Sequence, residues 1–202
     1  MTPAQLTALR AACFADQTAA AFFVSPGNAS GLRSYLNGAS ASSAWRTDAP
    51  VDAILDAITF SNYTPNDAVG GSDTDPTLTR KVGWLLTSQT KQMNLQLMLQ
   101  GRTTINAAKV NVRAGLRDAV VQVPTGAGGA NTSPGGANGA TVLGNCTRPA
   151  LRAELMLAAA SQASDTTGAT TARVMTFEGE VSEQESVALM FKDNGDLWTA
   201  QG

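Results

Sequence analysis

The sequence predicts a mainly α fold, a multi-helix bundle with long loops and a short β element near the C-terminus. Apolar residues recur at three- and four-residue spacing through most of the chain, and recognisable helix starts precede several of those runs. Only one stretch alternates with the two-residue period of a strand. At 202 residues and 43% apolar content the chain can bury a sizeable core. Much of that content is alanine and aromatics are only 5%, so six to eight closely packed helices and a marginally stable lone monomer are expected.

The first helix starts at Thr2, with Pro3 at its first position and Gln5 reaching back to complete a capping box; Leu6, Leu9, Cys13 and Phe14 line one face. Asp16 caps a second short helix carrying the apolar run Ala19 to Val24, which Ser25-Pro26-Gly27-Asn28 ends. A third runs from about Ser30 to Asn37 with Leu32, Tyr35 and Leu36 inward, and Gly38 is expected to supply a left-handed exit. After Asp48-Ala49-Pro50, Val51, Ile54, Leu55 and Ile58 repeat at helical spacing.

Residues Ser61 to Pro76 are polar and read as a long loop. Leu78 to Gln100 is the longest periodic stretch, with Leu78, Val82, Leu85, Leu86, Met93 and Leu97 on one stripe, of which Leu85 and Leu97 are expected to be buried, and at 1.5 Å per residue it spans about 30 Å. Asn106 caps the next helix, which includes Leu116. Pro124 to Asn145 holds seven glycines and two prolines, and ordering each residue costs about 1 to 2 kcal/mol of backbone entropy, so this segment is expected to be mobile in the lone chain or ordered by a neighbouring chain. Thr147 to Gln162 reads as a helix with Leu151 and Leu155 apolar, and Ser161 to Ala172 as a polar connector. Arg173 to Val181 alternates as the one strand. Ser182 and Glu185 form a capping box for a last helix, and Asp193-Asn194-Gly195-Asp196 is a turn. The expected partition is a helical body over 1–123, a glycine-rich loop or arm over 124–145, and a C-terminal segment over 146–202.

Composition excludes several classes of function. The net charge of −2 gives no electrostatic footprint for nucleic acid. No stretch approaches the length of a membrane span, and the opening residues lack a signal-peptide pattern, so the chain is expected to be made in and to stay in the cytoplasm. Histidine is absent, which removes Ser-His-Asp and Cys-His catalysis and the common zinc sites. Glu178, Glu180, Glu183 and Glu185 are dense enough for an acid and base pair, but solvation and the helix dipole explain such a run better. Cys13 and Cys146 read as buried free thiols. The glycines at 126, 128 and 129 are not followed by Gly-Lys-Ser/Thr, and the turn at Asp193 lacks the ligand spacing of a calcium loop, so no cofactor and no metal are expected.

The opening MTPAQLTALRAA, Trp45-Arg46-Thr47 before a short amphipathic helix, NLQLMLQ with NVRAGLRD behind it, Thr147 to Glu154, and Thr176-Phe177-Glu178-Gly179 together resemble a family of small structural virion proteins of tailed bacteriophages. The resemblance implies an adaptor in the head-to-tail connector or tail, with no catalytic residues, resident in the virion. Its partners would be copies of itself in a ring and the phage portal, tail or fibre proteins. Attachment of fibres to the tail is a variant of that role. An assembly chaperone absent from the virion, or a virion-associated hydrolase working through carboxylates, is the alternative of another class. Expected interface residues are Phe191, Leu197 and Trp198 near the C-terminus, with Gly128, Gly129, Gly135 and Gly136 in the glycine-rich loop.

Overall fold

The structure, a computed structural model, describes residues 1–24, 26–63, 76–120, 138–158 and 172–200. Its fold is mainly α, with nine α-helices among the described residues and four short strands. The chain divides into two compact units. One gathers the two ends of the chain with residues 149–158; the other is built from the stretch that begins at Trp45 and closes at Arg148. The contacts thus group the chain differently from the partition at 123 and 145 that the sequence suggests.

The first unit starts with α1 (Pro3–Ala15), whose capping box between Thr2 and Gln5 forms as the sequence predicts. Asp16 then accepts the backbone N–H groups of Thr18 and Ala19 and starts α2 (Gln17–Ala20), which tightens into a 3₁₀ turn at Ala21–Phe23. Asn28 caps α3 (Ala29–Leu36). Strand β1 (Ala39–Trp45) follows. Gly38 does not provide the left-handed exit, since its φ is not positive; an added Cβ there would instead press on the Arg152 guanidinium, 2.4 Å from Nη1. The last helix of the unit, named α9 below, spans Glu183–Met190 and opens on the Ser182–Glu185 capping box. Leu9, Cys13, Phe23, Leu32, Leu36 and Leu189 form the centre of the core. Each fully buried leucine there contributes about 1.5 to 3 kcal/mol.

The second unit contains β2 (Ala49–Pro50), α4 (Val51–Ala57), α5 (Pro76–Leu99), β3 (Thr104–Ile105), α6 (Val110–Val120) and α7 (Gly139–Gly144). β2 pairs antiparallel with β3, Ala49 opposite Ile105. Ile54, Ile58, Leu95, Leu99, Leu116 and Val142 are buried. Two asparagines hold α4 to its surroundings: Asn145 donates to the carbonyl of Ala53 (2.6 Å) and Asn138 to that of Ala57 (3.1 Å). Arg113 is buried because its guanidinium donates to the carbonyls of Ala107 and Ala108 (2.8 and 2.7 Å) and lies over the ring of Trp45.

Thr147 to Leu151 is strand β4, paired with β1, and only Arg152–Leu157 is helix, α8. Pro149 favours this, since the residue before a proline, Arg148, is pushed out of the helical region into extended backbone. The alternating stretch from Arg173 to Val181 forms no strand, only a bridge between Arg173 and Ala44. The N–H of Arg173 donates to the carbonyl of Ser43 (2.9 Å), and two later N–H groups go to side chains, Gly179 to the buried carboxylate of Glu154 (2.9 Å) and Val181 to Asn37 (2.7 Å). The glycine-rich segment ends sooner than expected, because Val142 and Leu143 bury their side chains and carry α7. Leu6, Leu55, Leu151 and Leu155 are half-buried rather than buried, and Leu97 is exposed. The side chain of Leu85, most of the polar stretch after Ser61, most of the connector before Ala172 and the first part of the glycine-rich segment lie outside the described residues.

Candidate functional site

The C-terminal residues singled out in the sequence are seated on their own unit. Phe191 and Leu197 bridge in antiparallel fashion, Lys192 donates to Asp196 (2.7 Å), and the N–H of Trp198 donates to Met190 (2.9 Å), closing a small hairpin after α9. The indole N–H of Trp198 donates to the carbonyl of Phe191 (3.1 Å). Gly27, with φ +83, lies under this hairpin: a Cβ there would meet Cδ2 of Leu197 at 2.8 Å and Sδ of Met190 at 2.9 Å. The apolar area of Phe191, Leu197 and Trp198 is therefore already half covered from within. Gly128, Gly129, Gly135 and Gly136 lie outside the described residues.

A polar chain that the sequence did not reveal crosses the same unit. Arg152 donates to the carbonyl of Tyr35 (3.0 Å) with its guanidinium 4.5 Å from the Tyr35 ring, and the Tyr35 hydroxyl donates to Asp16 (3.1 Å). Burial and the Asp16 carboxylate push the Tyr35 phenol above its ordinary range. The three border a cleft of about 270 Å³. Asp16 is engaged by two N–H groups of α2 and by the phenol, so this chain welds α2, α3 and α8 together. No short-range spacing could have shown a link between residues 16, 35 and 152.

The four glutamates do not assemble into an acid and base pair among the described contacts. Glu178, Glu180 and Glu183 are exposed, and Glu185 is held by Ser182 and by the amino group of Met1. That ammonium, followed by the Ser182 contacts, holds the Glu185 carboxyl below its usual range. Cys13 and Cys146 are buried and free, and burial pushes their thiols up to about 12 and about 11. Among the described residues no group of three or more metal-ligating side chains converges, and no helix is long and apolar enough to cross a membrane.

The second unit carries two uncovered apolar features on α5. At about 100° per residue, a two-residue offset turns a side chain to nearly the opposite face of a helix. Ser88, Leu95 and Leu99 face inward and are buried, while Leu86, Met93 and Leu97, each two residues earlier, are 57%, 61% and 66% exposed. These three form a ridge. The flanking Gln89, Thr90 and Asn94 are exposed and uncharged, and Lys91 turns aside to Asp118 of α6. Beside the ridge, α4 and the C-terminal end of α5 wall a groove of about 480 Å³ floored by Val51, Leu55, Phe60, Leu95 and Leu99. Asp52 and Arg102 stand among its lining residues. Helical periodicity puts Leu86, Met93 and Leu97 on one apolar stripe and does not single out Leu95 and Leu99, which the fold buries instead, because periodicity alone cannot say which face is covered.

No protein-family model, no curated protein and no solved structure matches the chain.

Proposed function

We propose that the chain is a structural virion protein of a tailed phage, an adaptor in the head-to-tail connector or tail that forms a ring linking portal and tail, with attachment of fibres as a variant of the same role. The resemblance of its short motifs supports this reading, and the α5 ridge carries it. Three large apolar side chains in water on one face of an ordered helix are costly for a free monomer, and such a patch marks a surface for protein contact. An adaptor has no need of a catalytic group; it works by offering each neighbour a surface. In this reading the protein is no enzyme, takes no cofactor, and is made in the host cytoplasm before it joins the particle.

The test is a phage lacking only this chain, with lysates viewed by electron microscopy. The expected result is DNA-filled heads and tails that remain unjoined or incomplete, restored by supplying the chain in trans. Normal, infectious particles in its absence would contradict the reading. The same ridge also suits an assembly chaperone, and the two roles differ in whether the chain stays in the finished particle.

A further inference from the structure

We infer that the α5 ridge of one copy seats in the α4–α5 groove of the next, so that a single repeated contact builds the assembly; this rests on the ring reading above and names its interface. Both features belong to one helix. α5 walls the groove with Leu95 and Leu99 and carries Leu86, Met93 and Leu97 on nearly the opposite face, so a copy cannot place its own ridge in its own groove. A second copy can. The contact pairs two different surfaces, and such head-to-tail contacts repeat from copy to copy, closing into a ring where the rotation closes, whereas a ridge facing an identical ridge stops at a two-fold dimer.

The chemistry of the two surfaces agrees. The ridge spans about 16 Å from Leu86 to Leu97 and carries no charge, as the core of an interface requires. The groove floor is apolar, and both features follow the ridges-into-grooves logic by which helices pack. Beside the ridge, the amides of Gln89 and Asn94 both donate and accept, which suits a groove lined at its polar positions by Gln92, Gln96 and Gln100 together with the carboxylate of Asp52 and the guanidinium of Arg102. A stable contact needs about 800 Å² from each partner, so ridge and groove supply its desolvated centre and the surrounding surface of the unit its rim.

The full-length chain with Met93→Glu and Leu97→Glu blocks the ridge, and Phe60→Glu, at a residue 46% exposed, blocks the groove. By sedimentation velocity and native mass spectrometry the unaltered chain should form species beyond a dimer, and each variant should lose self-association by roughly tenfold or more. An equal mixture of the two variants should stop at a heterodimer, because each copy keeps one working half. A groove variant that still pairs while the ridge variant does not would show ridge facing ridge and overturn the inference. So would a ridge variant with lowered thermal stability and unchanged assembly, which would mean that the ridge is covered within the free chain. If the unaltered chain is monomeric in solution, the variants are carried through phage assembly. Their loss from particles that contain the unaltered chain upholds the contact, and their incorporation at normal copy number overturns it. Absence of the unaltered chain from particles is a separate result, which overturns the ring reading itself.

Discussion

The guanidinium of Arg10 lies 3.9 Å from the ring centre of Trp198, so the first helix of the chain holds down its last hairpin. Arg10 also donates to the carbonyls of Leu189 (3.0 Å) and Ala188 (2.8 Å), at the C-terminal end of α9 where acceptors are unsatisfied and the helix dipole is negative. One side chain thereby joins α1, α9 and the hairpin.

Replacing Arg10 or Trp198 by alanine should each cost about 1 to 2 kcal/mol of stability, with a coupling of about 0.5 to 1 kcal/mol in the double-mutant cycle. Denaturant unfolding of the full chain measures both. Strict additivity would show that the stacked pair contributes nothing beyond its separate contacts. Removal of residues from Asp193 onward is expected to destabilise the first unit, because Leu197 packs on its core.

The two faces of α5 should respond oppositely to truncation. Leu95→Ala and Leu99→Ala remove side chains that are 3% and 5% exposed and should cost about 2 to 5 kcal/mol each. Leu97→Ala should leave monomer stability within about 0.5 kcal/mol. A large loss at Leu97, measured on protein dilute enough to be monomeric, would mean that the face is covered in the free chain.

Local chemistry was legible in the sequence where a few adjacent residues decide the outcome. The capping boxes at Thr2–Gln5 and Ser182–Glu185 and the cap at Asp16 form because donor, acceptor and spacing all lie within one turn. β1 was not legible: Ala39–Trp45 is mostly alanine and serine, with no alternation to mark a strand, and its order comes from β4, more than a hundred residues later. The stretch from Arg173 alternates and yet forms no strand, since Glu154 and Asn37 take the hydrogen bonds that a neighbouring strand would have made. Leu97 was misplaced for a similar reason, because a helix with two apolar stripes needs tertiary knowledge to be oriented. Of the candidate interface, the ridge residues lay within a periodic run, but the groove depends on Val51, Leu55 and Phe60 meeting the end of α5.

Acid stability should depend on Glu185. Its carboxyl is held below the ordinary value of 4.5, chiefly by the Met1 ammonium and then by Ser182, while burial opposes the shift. A depressed carboxylate stabilises the fold above its unfolded pKa and loses that contribution as pH falls through the lower folded value. Thermal melting of the unaltered chain should therefore fall more steeply below about pH 4.5 than that of Glu185→Gln. Equal slopes would remove Glu185 from the account. Ser182→Ala should cost about 1 kcal/mol at neutral pH through loss of the cap.

Cys13 and Cys146 should resist alkylation in the native protein at neutral pH and react fully in denaturant. Both thiols are buried and pushed up to about 12 and about 11, so almost no thiolate is present to attack. Rapid native labelling of Cys13 would mean that the first unit opens readily, since that thiol sits within its core.

Where the chain resides is read from its copy number in purified, DNA-filled particles, by quantitative mass spectrometry against portal and tail proteins. A structural adaptor should be retained at a fixed, integral copy number set by the symmetry of the ring it joins. A chain abundant in precursor particles and missing from finished ones would contradict the claim and assign it to assembly instead.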